Sequence, residues 1–109
     1  MAIENGLYKV AFQTPIGVGY GVVVLRDGQL LGGDSAMFYA GDYDQSGDAF
    51  TANIQIDTHS AVPGFGSVFG VPKAQIKLAG NTANQPLTVS GTSPQAPGVS
   101  FQATLHHLK

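Results

Sequence analysis

The sequence predicts an all-β protein, a small antiparallel up-and-down β-barrel of about eight strands. Three observations carry this expectation. Apolar residues recur at every second position in one segment after another, and no segment shows a helical period. Clusters of Gly, Pro, Asn and Asp interrupt these segments at short intervals. The segments follow one another closely enough to form consecutive hairpins, and closing such a meander removes the exposed edges of an open sheet. With 109 residues, the chain suffices for one compact domain, 1–109, and is too short for two.

Each strand has its own warrant. In 6–14, Tyr8, Val10 and Phe12 alternate with polar or small neighbours. In 17–26, Gly17, Gly19 and Gly21 bare one face, so the sheet can coil sharply or admit another backbone; the pattern leaves open which face points inward. Asp27-Gly28 is a two-residue turn into 29–33. The run GGDS (32–35) reads as a close backbone approach at a barrel corner, with Asp34 and Ser35 bonding nearby amides, before a strand at 36–43. Ser46-Gly47-Asp48 breaks the next hairpin. In 49–58, Phe50, Ala52, Ile54 and Ile56 alternate with Thr51, Asn53, Gln55 and Asp57. Strands at 73–80, 86–92 and 98–108 follow, separated by Pro- and Gly-containing loops.

The segment HSAVPGFGSVFGVP (59–72) breaks the pattern. It is long for a hairpin connection and apolar, through Val62, Phe65, Val68 and Phe69. Such a loop is expected to plug the barrel mouth, to meet a second subunit, or to act as a lid over a small ligand.

Charge is sparse, with a net of −2, but unevenly placed. Asp27, Asp34, Asp42, Asp44, Asp48 and Asp57 give residues 27–57 a charge of −6, and the remainder carries +4. There is no basic stripe, so direct nucleic-acid binding is not expected, and an acidic surface favours a basic partner or a cation. Cysteine is absent, which excludes disulfides and thiolate metal sites. No run of 18 apolar residues occurs, and MAIENGLYKV lacks the basic and apolar regions of a signal peptide. A soluble cytoplasmic protein without membrane contact is the expectation.

The sequence offers four kinds of candidate site. DYDQSG (42–47) matches the opening of a calcium loop. However, the twelfth position, which usually supplies a bidentate Glu, is Asn53, and a strand follows. A hairpin tip presenting Asp42, Asp44 and Asp48 accounts for the same residues. His106 and His107 are adjacent on a strand and so point to opposite faces, which rules out a shared metal. No G-x-S-x-G elbow is present, and no helix follows Gly17-Val18-Gly19-Tyr20-Gly21 to capture a phosphate. Neither catalysis nor a metal or cofactor is expected. The barrel interior is the fourth candidate. Phe12, Phe50, Ile54 and Phe101, with the small Ala52, Ala74, Gly91 and Ala103, either fill a tapering core or leave room for a small apolar ligand.

Leu7-Tyr8 through Phe12, Gly19-Tyr20-Gly21-Val22-Val23-Val24, Asp27-Gly28, Gly32-Gly33-Asp34 and Tyr39-Ala40-Gly41 together resemble the GrlR-like family, negative regulators of type III secretion. Pro63-Gly64 through Ser67-Val68-Phe69-Gly70 and Ala96-Pro97-Gly98-Val99 through Phe101 look like its widespread bacterial branch. The order and spacing of DG, GGDS and YAG are the most specific part. The resemblance implies a lipocalin-like barrel with an apolar cavity, a homodimer, and a partner protein that is a transcriptional activator held off DNA. It also implies that the partner meets an acidic run in the hairpin after the Y-x-G segment. On this chain that run falls on Gln45, Ser46, Gly47 and Asp48, of which Asp48 keeps the acid and Asp42 and Asp44 lie just before.

Overall fold

The structure, a computed structural model, describes residues 3–15, 17–60, 73–84, 86–95 and 97–109. Eight strands close into a barrel: β1 (Gly6–Thr14), β2 (Gly17–Arg26), β3 (Gln29–Gly33), β4 (Met37–Ser46), β5 (Ala49–Thr58), β6 (Lys73–Asn81), β7 (Leu87–Thr92) and β8 (Phe101–His107). Each strand pairs antiparallel with the next. β8 returns to β1, with Val10 opposite Leu105, so the meander has no free edge strand.

Alternation decides what the barrel encloses. Tyr8 and Val10 of β1, Phe50 through Ile56 of β5, Ala74 through Leu78 of β6 and Phe101 through Leu105 of β8 send every second side chain into one shared core. Phe50 and Leu25 are among the largest fully buried side chains.

β2 settles a point its sequence leaves open: the glycine face points inward. A Cβ on Gly19 would lie 2.6 Å from the Phe12 ring, and one on Gly21 would lie 3.0 Å from the Tyr39 hydroxyl. The space those glycines leave is occupied by aromatic rings, Phe12 from the adjacent β1 and Tyr39 from β4 across β3. Phe12 then meets Tyr39 edge-on at 6.0 Å and stacks on Phe101 at 6.1 Å. At Val23 and Leu25 the same face of β2 regains buried bulk.

Several expected boundaries move by one residue, and two move by three: the end of β4 and the start of β8. β4 runs three residues beyond 43, to Ser46, because Tyr43 keeps the inward phase and stacks on Phe50 at 5.6 Å. The turn is therefore only Gly47-Asp48, with Gly47 at φ 59°. Asp42 and Asp44 are consequently strand residues facing outward, not part of a loop tip. β8 begins at Phe101 rather than 98, although Val99 still packs against the core.

Candidate functional site

The interior is the first place to look for chemistry. Phe12, Phe50, Ile54 and Phe101 all line it, as their phase requires. The cavity they leave is about 50 Å³. A pocket for a drug-sized ligand is about 300–1,000 Å³, and one water takes about 30 Å³. Among the described residues, side chains take up most of the barrel axis and leave only this small apolar cavity.

One acid reaches this apolar wall. Asp34, in the β3–β4 turn, accepts hydrogen bonds at Oδ1 from the Ala36 amide (2.9 Å) and the Met37 amide (2.8 Å). Its Oδ2 accepts from the Tyr39 hydroxyl. Burial, then the bond to Asp34 and its charge, push the Tyr39 phenol well above its ordinary value near 10. His59 closes the corner. Its Nε2 lies 2.9 Å from the Asp34 carbonyl oxygen, which can only accept, so Nε2 carries the proton. The backbone approach expected at GGDS is present, since a Cβ on Gly32 would lie 2.0 Å from the Val22 carbonyl oxygen. Asp34 supplies the turn bonds there, whereas Ser35 is exposed. With its two oxygens already engaged, this carboxylate positions a turn and lacks the open partner that acid–base chemistry needs.

The second place is one end of the barrel. The Tyr43 amide donates to the Gly28 carbonyl at 2.9 Å, Asn5 exchanges bonds with Asp27 at 3.1 Å, and the Thr82 amide donates to the Asp48 carbonyl at 2.8 Å. These contacts bring the β2–β3 turn, the β4–β5 turn and the lead-in to β1 together. Glu4, Asp27, Asp42, Asp44 and Asp48 therefore share one end, while Asp34 and Asp57 lie toward the other. The linear run of six Asp is thus divided by the fold. Arg26, 3.8 Å from Asp27, is a cation at the acidic end. Gln45, where the resemblance implies an acid, is a clasp instead. Its Oε1 accepts from the Ile3 amide at 2.8 Å, and its Nε2 reaches Gly47 O and Thr82 Oγ1, each at 3.0 Å. Asp42 lies directly opposite Asn53, the twelfth position of the calcium pattern. Among the described residues, no three His, Asp or Glu side chains gather as a metal ion would need.

The third place is the outer surface of the barrel. The outer face of β2, with its neighbours on β3 and β4, carries an apolar patch among charged flanks such as Lys9, Arg26 and Asp42. Val18, Tyr20, Val22 and Val24 of β2, Leu31 of β3 and Phe38 of β4 are all exposed, Tyr20 by 69% and Leu31 by 53%. The register joins them into one patch: Val24 is opposite Leu31, Leu31 opposite Ala40, and Leu7 extends the row on β1. The signal in the sequence was β2 itself, whose bulky residues alternate with glycine; that they face away from the core is settled by the rings of Phe12 and Tyr39 lying over Gly19 and Gly21. The arrangement also reverses that of a membrane barrel, which has a polar lumen and an apolar belt all round. Here the lumen is apolar, and β5 and β6 turn Thr51, Asn53, Gln55, Gln75 and Lys77 outward.

Val62, Phe65, Val68 and Phe69, expected as a plug, dimer contact or lid, lie outside the described residues. No protein-family model matches the chain, and no curated protein matches it. The likeness to GrlR-like proteins therefore rests on the DG, GGDS and YAG motifs and their spacing.

Proposed function

We propose that this chain is a non-enzymatic regulatory protein, working in the cytoplasm, that docks a basic surface of another protein on the acidic end of its barrel. The observation that carries this reading is the exposure of Asp42, Asp44 and Asp48 on one paired hairpin, beside Asp27 and Glu4. Two of these carboxylates project from a strand, so their spacing is fixed before a partner arrives, which limits the ordering cost of binding. An acidic excess at one end, only partly offset by Arg26 beside Asp27, speeds encounter with a basic partner and disfavours acidic ones. The resemblance to GrlR-like proteins suggests a transcriptional activator as the partner and negative control of type III secretion as the setting.

The test is a pulldown from cell extract with the wild type and with Asp42, Asp44 and Asp48 all changed to Asn. The triple variant should keep the wild-type melting temperature and lose the partner, and wild-type capture should weaken as salt rises. Equal capture by both proteins would remove the hairpin from the function. The competing reading, an apolar ligand inside the barrel, requires the interior to widen from about 50 Å³ to roughly 300 Å³. A lipid-sized mass retained in native mass spectrometry would revive it.

A further inference from the structure

We propose that the first half of β6 is a docking edge for an extended peptide segment of a partner protein. The segment adds a short strand beside Lys73–Ile76 and sets an acidic side chain near Lys77. This site is separate from the acidic hairpin and does not rest on it.

Eight strands close the barrel, but one seam is closed over only part of its height. β5 pairs with β6 all the way from Lys73 to Asn81. β7 pairs with β6 only from Lys77 to Gly80. Among the described residues, no strand lies beside Lys73, Ala74, Gln75 and Ile76 on that side. The sequence explains the stop. β7 ends at Thr92, two residues before Pro94, which has no N–H to give to a ladder. Gly98, at φ 86°, then bends the loop on its way to β8.

One side chain stands in for the missing strand. The Gln75 amide donates to Gln95 Oε1 at 2.8 Å, where a neighbouring strand would offer a carbonyl. Buried Ser93 steadies that side chain: its hydroxyl donates to Oε1 at 3.1 Å and accepts from the Gln95 amide at 3.3 Å. Gln95 itself is exposed, so a rotamer change frees the Gln75 amide without disturbing the core. Two clefts meet here. One, of about 750 Å³, includes Gln75, Ile76, Lys77, Thr92 and Pro94 in its lining. The other, of about 270 Å³, is lined by Gln55, Lys73, Ala74, Gln75 and Gln95. Together they follow β6 from Lys73 to Lys77, and four residues of an added strand span about 13 Å.

The surroundings specify the occupant. An added strand draws affinity from main-chain bonds and specificity from alternate side chains. Its inward residues would lie beside buried Ala74 and Ile76, which favours apolar ones. Its outward residues would lie beside Gln75 and Lys77, both exposed. Lys73 is opposite Asp57, whereas Lys77 is opposite neutral Asn53, so Lys77 is the cation left to attract an acid. A small polar ligand would fill the larger cleft yet leave the open ladder unused.

The experiment selects phage-displayed random dodecapeptides on the full chain and then measures the enriched peptides by fluorescence anisotropy. They should alternate apolar and polar residues, lack central proline and carry net negative charge. N-methylation of every second central residue should weaken binding at least about tenfold in one phase and little in the other, because only alternate amides face β6. Gln75→Pro removes the donor at an edge where proline is tolerated, and should weaken binding about tenfold. Gln95→Ala removes the internal competitor and should tighten binding about two- to fivefold. Lys77→Glu should weaken binding about fivefold and flatten its salt dependence. The N-methyl series uses the wild-type chain, so it decides the matter even if Gln75→Pro does not fold. The variant with Asp42, Asp44 and Asp48 changed to Asn should bind these peptides like wild type, which separates this site from the hairpin. No enrichment over a bare surface overturns the proposal. So do equal effects in both N-methyl phases, or peptides indifferent to both Gln75→Pro and Gln95→Ala.

Discussion

The two halves of the barrel use the same alternation to opposite ends. In β5 and β6, bulk points in and polarity points out: Phe50, Ala52, Ile54 and Ile56 are buried, while Thr51, Asn53, Gln55 and Gln75 face water. In β2 the inward positions near one end are glycines, and the bulk is outside, in Val18, Tyr20, Val22 and Val24. The first half therefore contributes backbone room to the core and side chains to the surface. The difference teaches that an alternating strand need not report its core by its larger residues. Phe12 and Tyr39 fill the space that Gly19 and Gly21 leave, and that is what frees the valines of β2 to face outward.

The comparison can be broken most forcefully from inside. Phe50→Ala in the conventional half should lose about 3–5 kcal/mol in a denaturant titration, through lost burial and the cavity left beside Tyr43. A loss under 1 kcal/mol would mean that the β5 side of the core is loosely packed. In the inverted half, Gly19→Val should cost about 1–3 kcal/mol, since its Cβ would lie 2.6 Å from the Phe12 ring. Adding Phe12→Ala should recover part of that loss. If it recovers nothing, the glycines serve strand coiling rather than ring packing.

A smaller effect sharpens the picture at the β3–β4 corner. Tyr39→Phe removes one bond to Asp34 and should cost about 1 kcal/mol at neutral pH. The pH dependence has a definite sign. The Tyr39 phenol is raised in the folded state, so its contribution is fully present below the ordinary tyrosine value near 10 and is lost as pH rises beyond it. Tyr8 is raised as well, first by burial and then by the charge of Glu4, and loses stability in the same alkaline range. Wild type should thus destabilise above about pH 10 more steeply than Tyr39→Phe. Equal slopes would mean that Tyr39 ionises as readily folded as unfolded.

The smallest expected effects are on the outer faces. Val24→Thr and Thr51→Val should each change the stability of the dilute single chain by less than about 0.5 kcal/mol. Any larger change at Val24 would show that its exposed side chain is part of the fold rather than available for contact.

Much of this fold was legible in the sequence because strand alternation and turn chemistry are local. Asp27-Gly28 marked its hairpin, and Phe50 through Ile56 marked both the face and the length of β5. The extension of β4 beyond residue 43 is hidden in the sequence because Asp44, Gln45 and Ser46 look like turn residues by type, while their phase continues the strand. The candidate site was less legible. Which acids share one end depends on how the hairpins stack, and no linear run of Asp reports that. The clasp formed by Gln45 depends on Ile3 and Thr82, which are 42 and 37 residues away. The apolar outer face was written in β2, but its orientation needed the rings of Phe12 and Tyr39 in place.

The most direct test of the inverted half is hydroxyl-radical footprinting of the dilute protein. Tyr20, Val22, Leu31 and Phe38 should react much as Leu108 does, which is exposed at 51% and placed beyond β8. Phe50, buried in the conventional half, should stay protected. Protection of the first four side chains, or a Phe50 as reactive as they are, would contradict it.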